Sequence, residues 1–243
     1  MKTNIASVLF FLSVVATLVF ILSGYGYQWG IWSLGTGFTL LTNSAYAAIG
    51  LLLANTIMLF FLKNADMKPV TLVLIGVVCT ATVAGVAFYW QNEARKAPPI
   101  HDISTDLENP PEFIEMIPLR ADAPNPPEYA GEETAEIQRE NYPDIATVWF
   151  SAPNEEVFNA AVAVVEERGW ELVNSDAEEG IIEATEKLAW FGFKDDVVLR
   201  IGTDDDGTRV DMRSKSRIGR GDVGVNAKRI MRFFEDLEER VQH

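Results

Sequence analysis

Three long stretches near the start of the chain contain no charged residue, and they constrain the fold more than any other feature. They are residues 5–22, 44–62 and 70–90, and each is long enough to cross the apolar interior of a bilayer as a helix. A single buried helix of a soluble protein can be apolar on all sides, but three in succession are typical of a membrane protein. The sequence therefore predicts a membrane anchor, residues 1–97, with three transmembrane helices in the lipid bilayer.

Features around these segments refine the prediction. The first apolar run exceeds the h-region of a signal peptide and is followed by no small-x-small cleavage pattern, so we expect an uncleaved helix. Residues 24–43 are uncharged and rich in Trp, Tyr and Gly, which predicts a loop at the membrane interface rather than a re-entrant element. Gly76, Thr80 and Ala84 recur at four-residue spacing, which allows close helix packing either within the anchor or in a dimer.

Charge is distributed unevenly along the chain. Residues 1–97 contain five Lys or Arg and two acidic residues, which leaves 15 basic and 33 acidic residues, a net charge of −18, in residues 98–243. So acidic a domain repels nucleic acid, and we expect no nucleic-acid partner. Three lysines near one end of the helices, against Arg95 and Lys96 near the other, place the N-terminus in the cytoplasm by the positive-inside rule. The C-terminal domain then lies in the periplasm, outside a bacterial inner membrane.

Nine of the eleven prolines fall within residues 98–144. Proline fixes φ and restricts the residue before it, so we expect an extended, semi-rigid acidic linker whose apolar side chains could lie partly along the domain surface. This linker contains HDISTDLE, in which His101 lies near Asp102, Asp106 and Glu108. The spacing matches no strong zinc pattern, and we expect no metal and no cofactor.

From residue 145 onward the pattern is that of a small globular domain, residues 145–243. IATVWF is β-prone, and an amphipathic helical stretch that ends at Gly169 follows it. Four further β-prone stretches come next, with an Asp206–Gly207 turn between the last two, and an amphipathic helix over about 222–241 ends the chain. The sequence therefore predicts an α+β fold of order β-α-β-β-β-β-α, with an antiparallel sheet and both helices on one face.

The stretch RSKSRIGRGDVGVNAKRI, residues 213–230, concentrates cations in this acidic domain. Residues 209–232 contain eight Lys or Arg and two Asp, a local net charge of +6. Glycines that leave backbone N–H groups uncovered lie between the last strand and the last helix, whose N-terminus attracts anions. The pattern predicts an anion-binding site at this strand–helix junction, with the candidate residues Arg213, Ser216, Arg217, Gly219, Asp222, Gly224, Asn226 and Arg229.

The same residues also have a purely structural interpretation. Asp222 could cap the last helix, and the arginines could pair with the domain's own carboxylates. Asp195 and Asp196 begin a strand and point to opposite faces, so one of them could pair with Arg217 or Arg229. The motif would then be a structural clasp that needs no ligand, and both interpretations remain open.

Three separated motifs carry a resemblance to a known family. The first is residues 213–230, with the pattern Arg-Ser-x-Ser-Arg-x-Gly-x-x-Asp-x-Gly-x-Asn-x-x-Arg-Ile; the second is WFGFKDDVVLRI, residues 190–201; the third is PPIHDISTDLENPPEF, residues 98–113. They resemble a bacterial and plastid family known only as a domain of unknown function, number fourteen ninety-nine. The resemblance implies an envelope or lumenal location and brings no established activity. In the second motif, Trp190 and Phe191 either enter the domain core or form an exposed tip.

These features favour an accessory protein over an enzyme. The two histidines lie in the linker and at the C-terminus, the one cysteine lies in an apolar segment, and no nucleophile, Walker-type or metal-binding motif is present. We therefore predict no catalytic residue. We expect a membrane-anchored protein of the cell envelope whose domain binds an anionic ligand or a protein partner at the Arg/Gly-rich junction. The alternative is a scaffold or assembly protein in which that motif is a structural clasp.

Overall fold

The computed structural model describes residues 2–242 and contains two compact units. The first unit comprises Met1–Glu93 together with Ala189–Gly192, and the second comprises Ala94–Leu188 together with Phe193–His243. All the strands among the described residues belong to the second unit.

Three long helices form the first unit, as predicted: α1 (Lys2–Gln28), α2 (Leu34–Phe61) and α3 (Met67–Lys96). Each is long and apolar enough to cross a membrane. The prediction of an interfacial loop over residues 24–43 is wrong, because α1 and α2 occupy most of that stretch. In apolar surroundings every backbone N–H and C=O must be satisfied within the chain, so a helix accommodates glycines that would end it in water.

Small and polar side chains lie between these helices. Asn55 of α2 is fully buried, and its Nδ2 donates to Ser13 Oγ of α1 at 3.0 Å. Gly76 of α3 faces this amide, since a Cβ added at Gly76 would lie 2.8 Å from Asn55 Oδ1. Thr80, one turn further along α3, is also buried and donates to the carbonyl oxygen of Gly76. The small-residue spacing in α3 therefore serves packing within the unit.

Aromatic side chains of Ala189–Gly192 also pack within the first unit. Trp190 Nε1 donates to the carbonyl oxygen of Ile21 at 2.8 Å, and the Phe191 ring stacks on Phe38 with the ring centroids 5.2 Å apart. Neither sequence alternative for these aromatics, a domain core or an exposed tip, describes this arrangement. The other face of the helices is apolar, and many large hydrophobic side chains are exposed along it.

A six-stranded antiparallel sheet forms the centre of the second unit. Its strands are β1 (Asp102–Ser104), β2 (Val148–Phe150), β3 (Glu171–Asp176), β4 (Ile181–Lys187), β5 (Lys194–Asp204) and β6 (Gly207–Ser216). The strand order is β1-β6-β5-β4-β3, and β2 pairs with β6 beyond the end of β1. At the predicted β5–β6 turn, Asp204 opposes Gly207 across a two-residue loop.

Three helices accompany the sheet: α4 (Glu132–Asn141), α5 (Asn154–Glu167) and α6 (Val225–Val241). The predicted order β-α-β-β-β-β-α is confirmed from β2 to α6. Together with one sheet face, α5 and α6 enclose the core, in which Phe233 stacks on Trp170 with ring centroids 5.8 Å apart. The residues of β6 alternate, so that Met212 faces this core while Arg213 faces the opposite side.

The opposite face of the sheet is covered by residues 105–131, which we call the strap. Its Phe113 and Met116 are buried against Val198 of β5. The spacer predicted for residues 98–144 is therefore not observed, since this stretch supplies β1, the strap and α4 to the second unit. Its prolines prevent regular structure over most of the strap, but they leave its apolar side chains free to be buried against the sheet.

Candidate functional site

The eight predicted site residues lie at the end of β6, in the loop that follows it, and at the start of α6. The structure brings them into one region but divides them between the two faces of the sheet. Arg213 and Arg217 project toward the strap, whereas Ser216, Asn226 and Arg229 lie on the side of α6. This division follows from the two-residue period of a strand.

On the strap face, Asp102 of β1 binds two cations of β6. Arg213 donates through Nε to Asp102 Oδ1 at 2.8 Å and through Nη2 to Oδ2 at 2.9 Å, and its guanidinium lies 4.9 Å from the Phe113 ring centroid. Lys215 Nζ lies 3.1 Å from Asp102 Oδ2. Burial lowers the pKa of Lys215, and the charge of Asp102 opposes that shift. Burial, aided by the Asp102 charge, raises the pKa of the neighbouring Tyr129 to about 12.

A second buried carboxylate, Asp196 of β5, binds two arginines on the same face. Arg217 donates to it through Nε and Nη2, both at 2.8 Å, in the bidentate geometry that suits a carboxylate. Arg120 of the strap donates to Asp196 Oδ2 at 2.5 Å, and Thr185 Oγ1 donates to Oδ1 at 2.7 Å. Asp196 is fully buried, so both arginines are held away from bulk solvent at this end.

On the other face, Arg229 of α6 is 4 % exposed and has four side-chain partners. Its Nη2 donates to Asp195 Oδ2 at 2.6 Å, its Nε donates to Glu186 Oε2 at 2.6 Å, and its Nη1 donates to Ser214 Oγ at 2.9 Å. The same Nη1 also donates to Asn226 Oδ1. Asp195 thus binds Arg229 on one face of the sheet, and Asp196 binds Arg217 on the other. The sequence predicted such a pair for one of the two aspartates, and the structure shows it for both.

The loop between β6 and α6 is closed by its own side chains. Asp222 accepts hydrogen bonds from the backbone N–H groups of Gly224 at 2.8 Å and Asn226 at 2.7 Å, so its carboxylate occupies the N-terminus of α6. Burial raises the pKa of Asp222, and those two N–H donors oppose the shift. Asn226 Nδ2 donates to Ser216 Oγ at 3.0 Å. Gly219 and Gly224 have φ values of +107° and +76°, a region that other residues adopt only with strain.

These contacts form one network on both sides of β5 and β6, which we call the clasp network. Its members are Asp102, Arg120, Asp195, Asp196, Ser214, Lys215, Ser216, Arg213, Arg217, Asp222, Asn226 and Arg229. On the strap face the cations of the network outnumber its carboxylates, and backbone carbonyl oxygens of the strap accept further N–H groups of Arg213, Lys215 and Arg217. Arg120 Nε is buried without a hydrogen-bond partner among the described residues. An external anion would therefore have to displace an internal carboxylate or carbonyl.

A separate group of charged residues lies near the other end of β6. Arg200 Nη2 bridges Asp106 Oδ2 at 2.9 Å and Asp211 Oδ2 at 2.8 Å, and Arg209 contacts the same two carboxylates. Thr147 Oγ1 donates to Asp211 Oδ1 at 2.6 Å. Burial would raise the pKa of Asp106, but hydrogen bonds from the Asn109 N–H and both arginines lower it overall. We call Asp106, Arg200, Arg209 and Asp211 the Asp–Arg quartet.

A surface cleft of about 510 Å³ lies beside the Asp–Arg quartet, between the start of the strap and the segment that connects α4 to β2. Leu107 and Glu108 line one side, and Tyr142, Pro143 and Trp149 line the other. The cleft is open to solvent and mixes apolar and charged walls, which is the character of a binding surface rather than a packing void.

The structure shows what two carboxylates of HDISTDLE bind. Among residues 2–242, no group of three or more His, Cys, Asp or Glu side chains is arranged to hold a metal ion. Asp102 is bound by Arg213, and Asp106 is bound by Arg200 and Arg209. These carboxylates compensate the buried Arg213 and the partly buried Arg200 and Arg209.

Sequence reasoning did not assign four residues of the clasp network, Asp102, Arg120, Ser214 and Lys215, and it did not predict the Asp–Arg quartet as a group. Asp102 was considered in the linker as a possible metal ligand and not as a strand residue, although it alternates with the apolar Ile103 as it would in a strand. Arg120 was not considered, although it is the one cation between Lys96 and Arg139 in a strongly acidic stretch. An isolated cation among carboxylates is a signal of internal pairing that could have identified it. Ser214 was noted only as a residue of the family pattern, with no structural role assigned to it.

Comparison with known families gives one match. A family model described as "Protein of unknown function (DUF1499)" matches residues 102–237, more than half of the chain. The matched range begins at Asp102 of β1 and includes the strap, the sheet, α5 and most of α6. A search of curated proteins found no match.

Proposed function

Because the chain belongs to that family, whose description carries no activity, we propose a function from its own geometry: it is a membrane-anchored scaffold protein of the cell envelope. In this role the three apolar helices hold the protein in the bilayer, and the second unit presents a rigid surface to a protein partner. The RSKSRIGRGDVGVNAKRI motif acts as a structural clasp that fixes the strap and α6 to the sheet.

The observation that carries this proposal is the engagement of the motif's buried cations by the protein's own groups. Arg213, Arg217 and Arg229 each donate to a carboxylate that is no more than 2 % exposed. Breaking such a pair leaves a buried charge without compensation, which costs several kcal/mol. A ligand site built on these side chains would incur that cost at each binding event, whereas a scaffold benefits from the rigidity.

The helices support the membrane part of the proposal. Their exposed faces carry large apolar side chains, and the charged residues lie toward the helix ends. Lys2 Nζ donates to the carbonyl oxygen of Phe61, so the start of α1 and the end of α2 lie at the same end of the bundle as Lys63. We propose that this lysine-bearing end faces the cytoplasm and that the acidic domain is periplasmic.

The anion-site hypothesis for the eight predicted residues stays a prediction. It requires an anion that outcompetes Asp222 for the N–H groups at the start of α6, or Asp196 for Arg217, which is 16 % exposed. We consider it the second candidate because the strap face holds more cations than carboxylates.

Native mass spectrometry of the full chain, cross-linked in cells and purified in mild detergent, tests the choice. We expect a stoichiometric protein partner. A small-molecule adduct that a folded Arg217→Ala/Arg229→Ala variant loses, and that an Arg139→Ala/Arg240→Ala control retains, would overturn the scaffold proposal in favour of the anion site. A chain recovered without any partner would also count against it.

A further inference from the structure

The cleft beside the Asp–Arg quartet has features of a recognition surface that the clasp network lacks. Asp106 lines the cleft together with Glu108 and one cation, Arg139, and Asp106 is held by the Asp–Arg quartet, in which two arginines and two carboxylates balance in charge. Thr105 Oγ1 also donates to Asp211 Oδ1 at 3.1 Å. The surface is therefore pre-formed, and a ligand that enters it does not have to order it first.

Trp149 provides an exposed aromatic wall. Its side chain is 47 % exposed although it sits on β2 beside the core. Its Nε1 donates to Asp204 Oδ2 at 3.1 Å, which fixes the orientation of the ring. Exposed tryptophans held in one orientation are typical of contact residues at protein interfaces.

Carboxylates surround the cleft. The Glu108 side chain is 84 % exposed, and its one described cationic neighbour, Arg139, lies 3.5 Å away and is shared with Glu132. Asp144 is exposed beside Pro143, and Asp204 is exposed beside Trp149. A cation placed over the Trp149 ring would therefore lie in a field of negative charge and on the face of an aromatic ring that attracts it.

From these observations we infer that the cleft binds a lysine- or arginine-bearing extended segment of a protein partner. Leu107 and Pro143 provide apolar walls for the aliphatic stems of such side chains, while Glu108 of the cleft lining, and Asp204 bound to Trp149 beside it, receive their charged ends. Residues 142–147, which are neither helix nor strand, form one side of the cleft beside β2, and an extended peptide could lie along them. This inference rests on the proposed scaffold function and names the face and the chemistry of the partner.

Selection of a random nonapeptide phage library on the full chain in lipid nanodiscs tests the inference. We expect enrichment of sequences with lysine or arginine, and peptides made from them should bind a Trp149→Ala/Glu108→Gln variant about tenfold more weakly, as for truncation of interface contacts. A Met231→Ala/Glu178→Gln variant, which loses an apolar and an acidic side chain outside the cleft, should bind like the parent.

Three results would overturn the cleft assignment: no enriched sequence, enrichment of acidic peptides, or enriched peptides that bind the cleft variant and the parent equally. Thermal unfolding of both variants ensures that weaker binding is not loss of fold. If the cross-linking experiment finds a stoichiometric partner while this selection fails, the scaffold function stands and the partner binds another face. If the selection succeeds and no partner is found in cells, the cleft stands and the scaffold function fails.

Discussion

Asp102 shows at the scale of one residue how the clasp network works. Its carboxylate is fully buried and receives Arg213, Lys215 and the backbone N–H of Ala130. Isolated, this charge could not remain in the interior, because the desolvation of an ion costs far more than one hydrogen bond returns. The pair contributes little net stability compared with an apolar pair, but loss of one partner is severe.

We therefore expect Arg213→Met to destabilise the second unit by about 3–5 kcal/mol, because it leaves Asp102 buried with reduced compensation. Hydrogen exchange of β6 in the detergent-solubilised chain measures the change. Arg139→Met removes an exposed arginine of the same charge and should leave the exchange of β6 unaltered. If Arg213→Met had no larger effect on the exchange of β6 than this control, the buried Asp102 would not need Arg213 for its compensation.

A pH effect is expected at Asp106, whose pKa is lowered in the folded state. A carboxyl group of this kind contributes stability above its unfolded pKa, and the contribution is lost as the pH falls through the lower folded value. Asp106→Asn should therefore reduce the thermal midpoint at pH 7 and leave it less dependent on pH below about 4. Glu178→Gln provides the matched loss of an exposed carboxyl group. If the thermal midpoints of the Asp106→Asn variant and the parent changed in parallel as the pH fell, Asp106 would not be the group that causes the pH dependence.

Residue-level reasoning from the sequence succeeded where a strand period was decisive. The alternation of Asp195 and Asp196 indicated opposite faces, and their arginine partners are found there. It failed for Asp102 and Arg120, because their pairing depends on which segment covers the strap face of the sheet. No local pattern reports that choice, since it joins residues about a hundred positions apart.

At the scale of elements, α3 packs closely against the Asn55 amide of α2. Gly76 provides the space for the buried Asn55 amide. We expect Gly76→Leu to destabilise the helical unit by about 1–3 kcal/mol, because a side chain at that position would overpack it. Unfolding by sodium dodecyl sulfate in mixed micelles measures the change.

Gly85→Leu is the matched control for that substitution. It lies on the same helix, and a Cβ there would meet no atom within 4 Å. Equal destabilisation by the two substitutions would mean that a side chain at Gly76 does not overpack the Asn55 contact.

Elements with a strong hydrophobic period could be predicted from the sequence, whereas the structure of the strap and of residues 24–43 could not. The three apolar helices and the run from β2 to α6 were recognised, because apolar length and two- or 3.6-residue periods are local signals. The strap was taken for a spacer, since its prolines indicate only what it cannot form. Residues 24–43 were predicted to be a loop because glycine destabilises a helix in water. In apolar surroundings a helix tolerates glycine.

Considered as a whole molecule, the protein combines an apolar part that has few charges with a strongly acidic one. The net charge is −15, and the clasp network engages many of the cations, so carboxylates dominate the exterior of the second unit. This distribution suits a domain that stays clear of anionic lipid and nucleic acid and that attracts cationic partners.

The proposed orientation makes a prediction at this scale. In a Cys79→Ser background, Ala177→Cys on the exposed β3–β4 turn should react with a membrane-impermeant maleimide in intact cells. Asn64→Cys, in the connection between α2 and α3, should react only after lysis. The reverse pattern would place the acidic domain in the cytoplasm.

The position of β1 beside β6 also has a consequence for how the chain matures during synthesis. Asp102 leaves the ribosome more than a hundred residues before Arg213, to which it is paired. Until β6 is made, Asp102 lacks both of its cationic partners, and the sheet lacks the strand that joins β1 to β5. We therefore expect a chain that lacks β6 to leave the sheet incomplete and more open to proteases than the full chain.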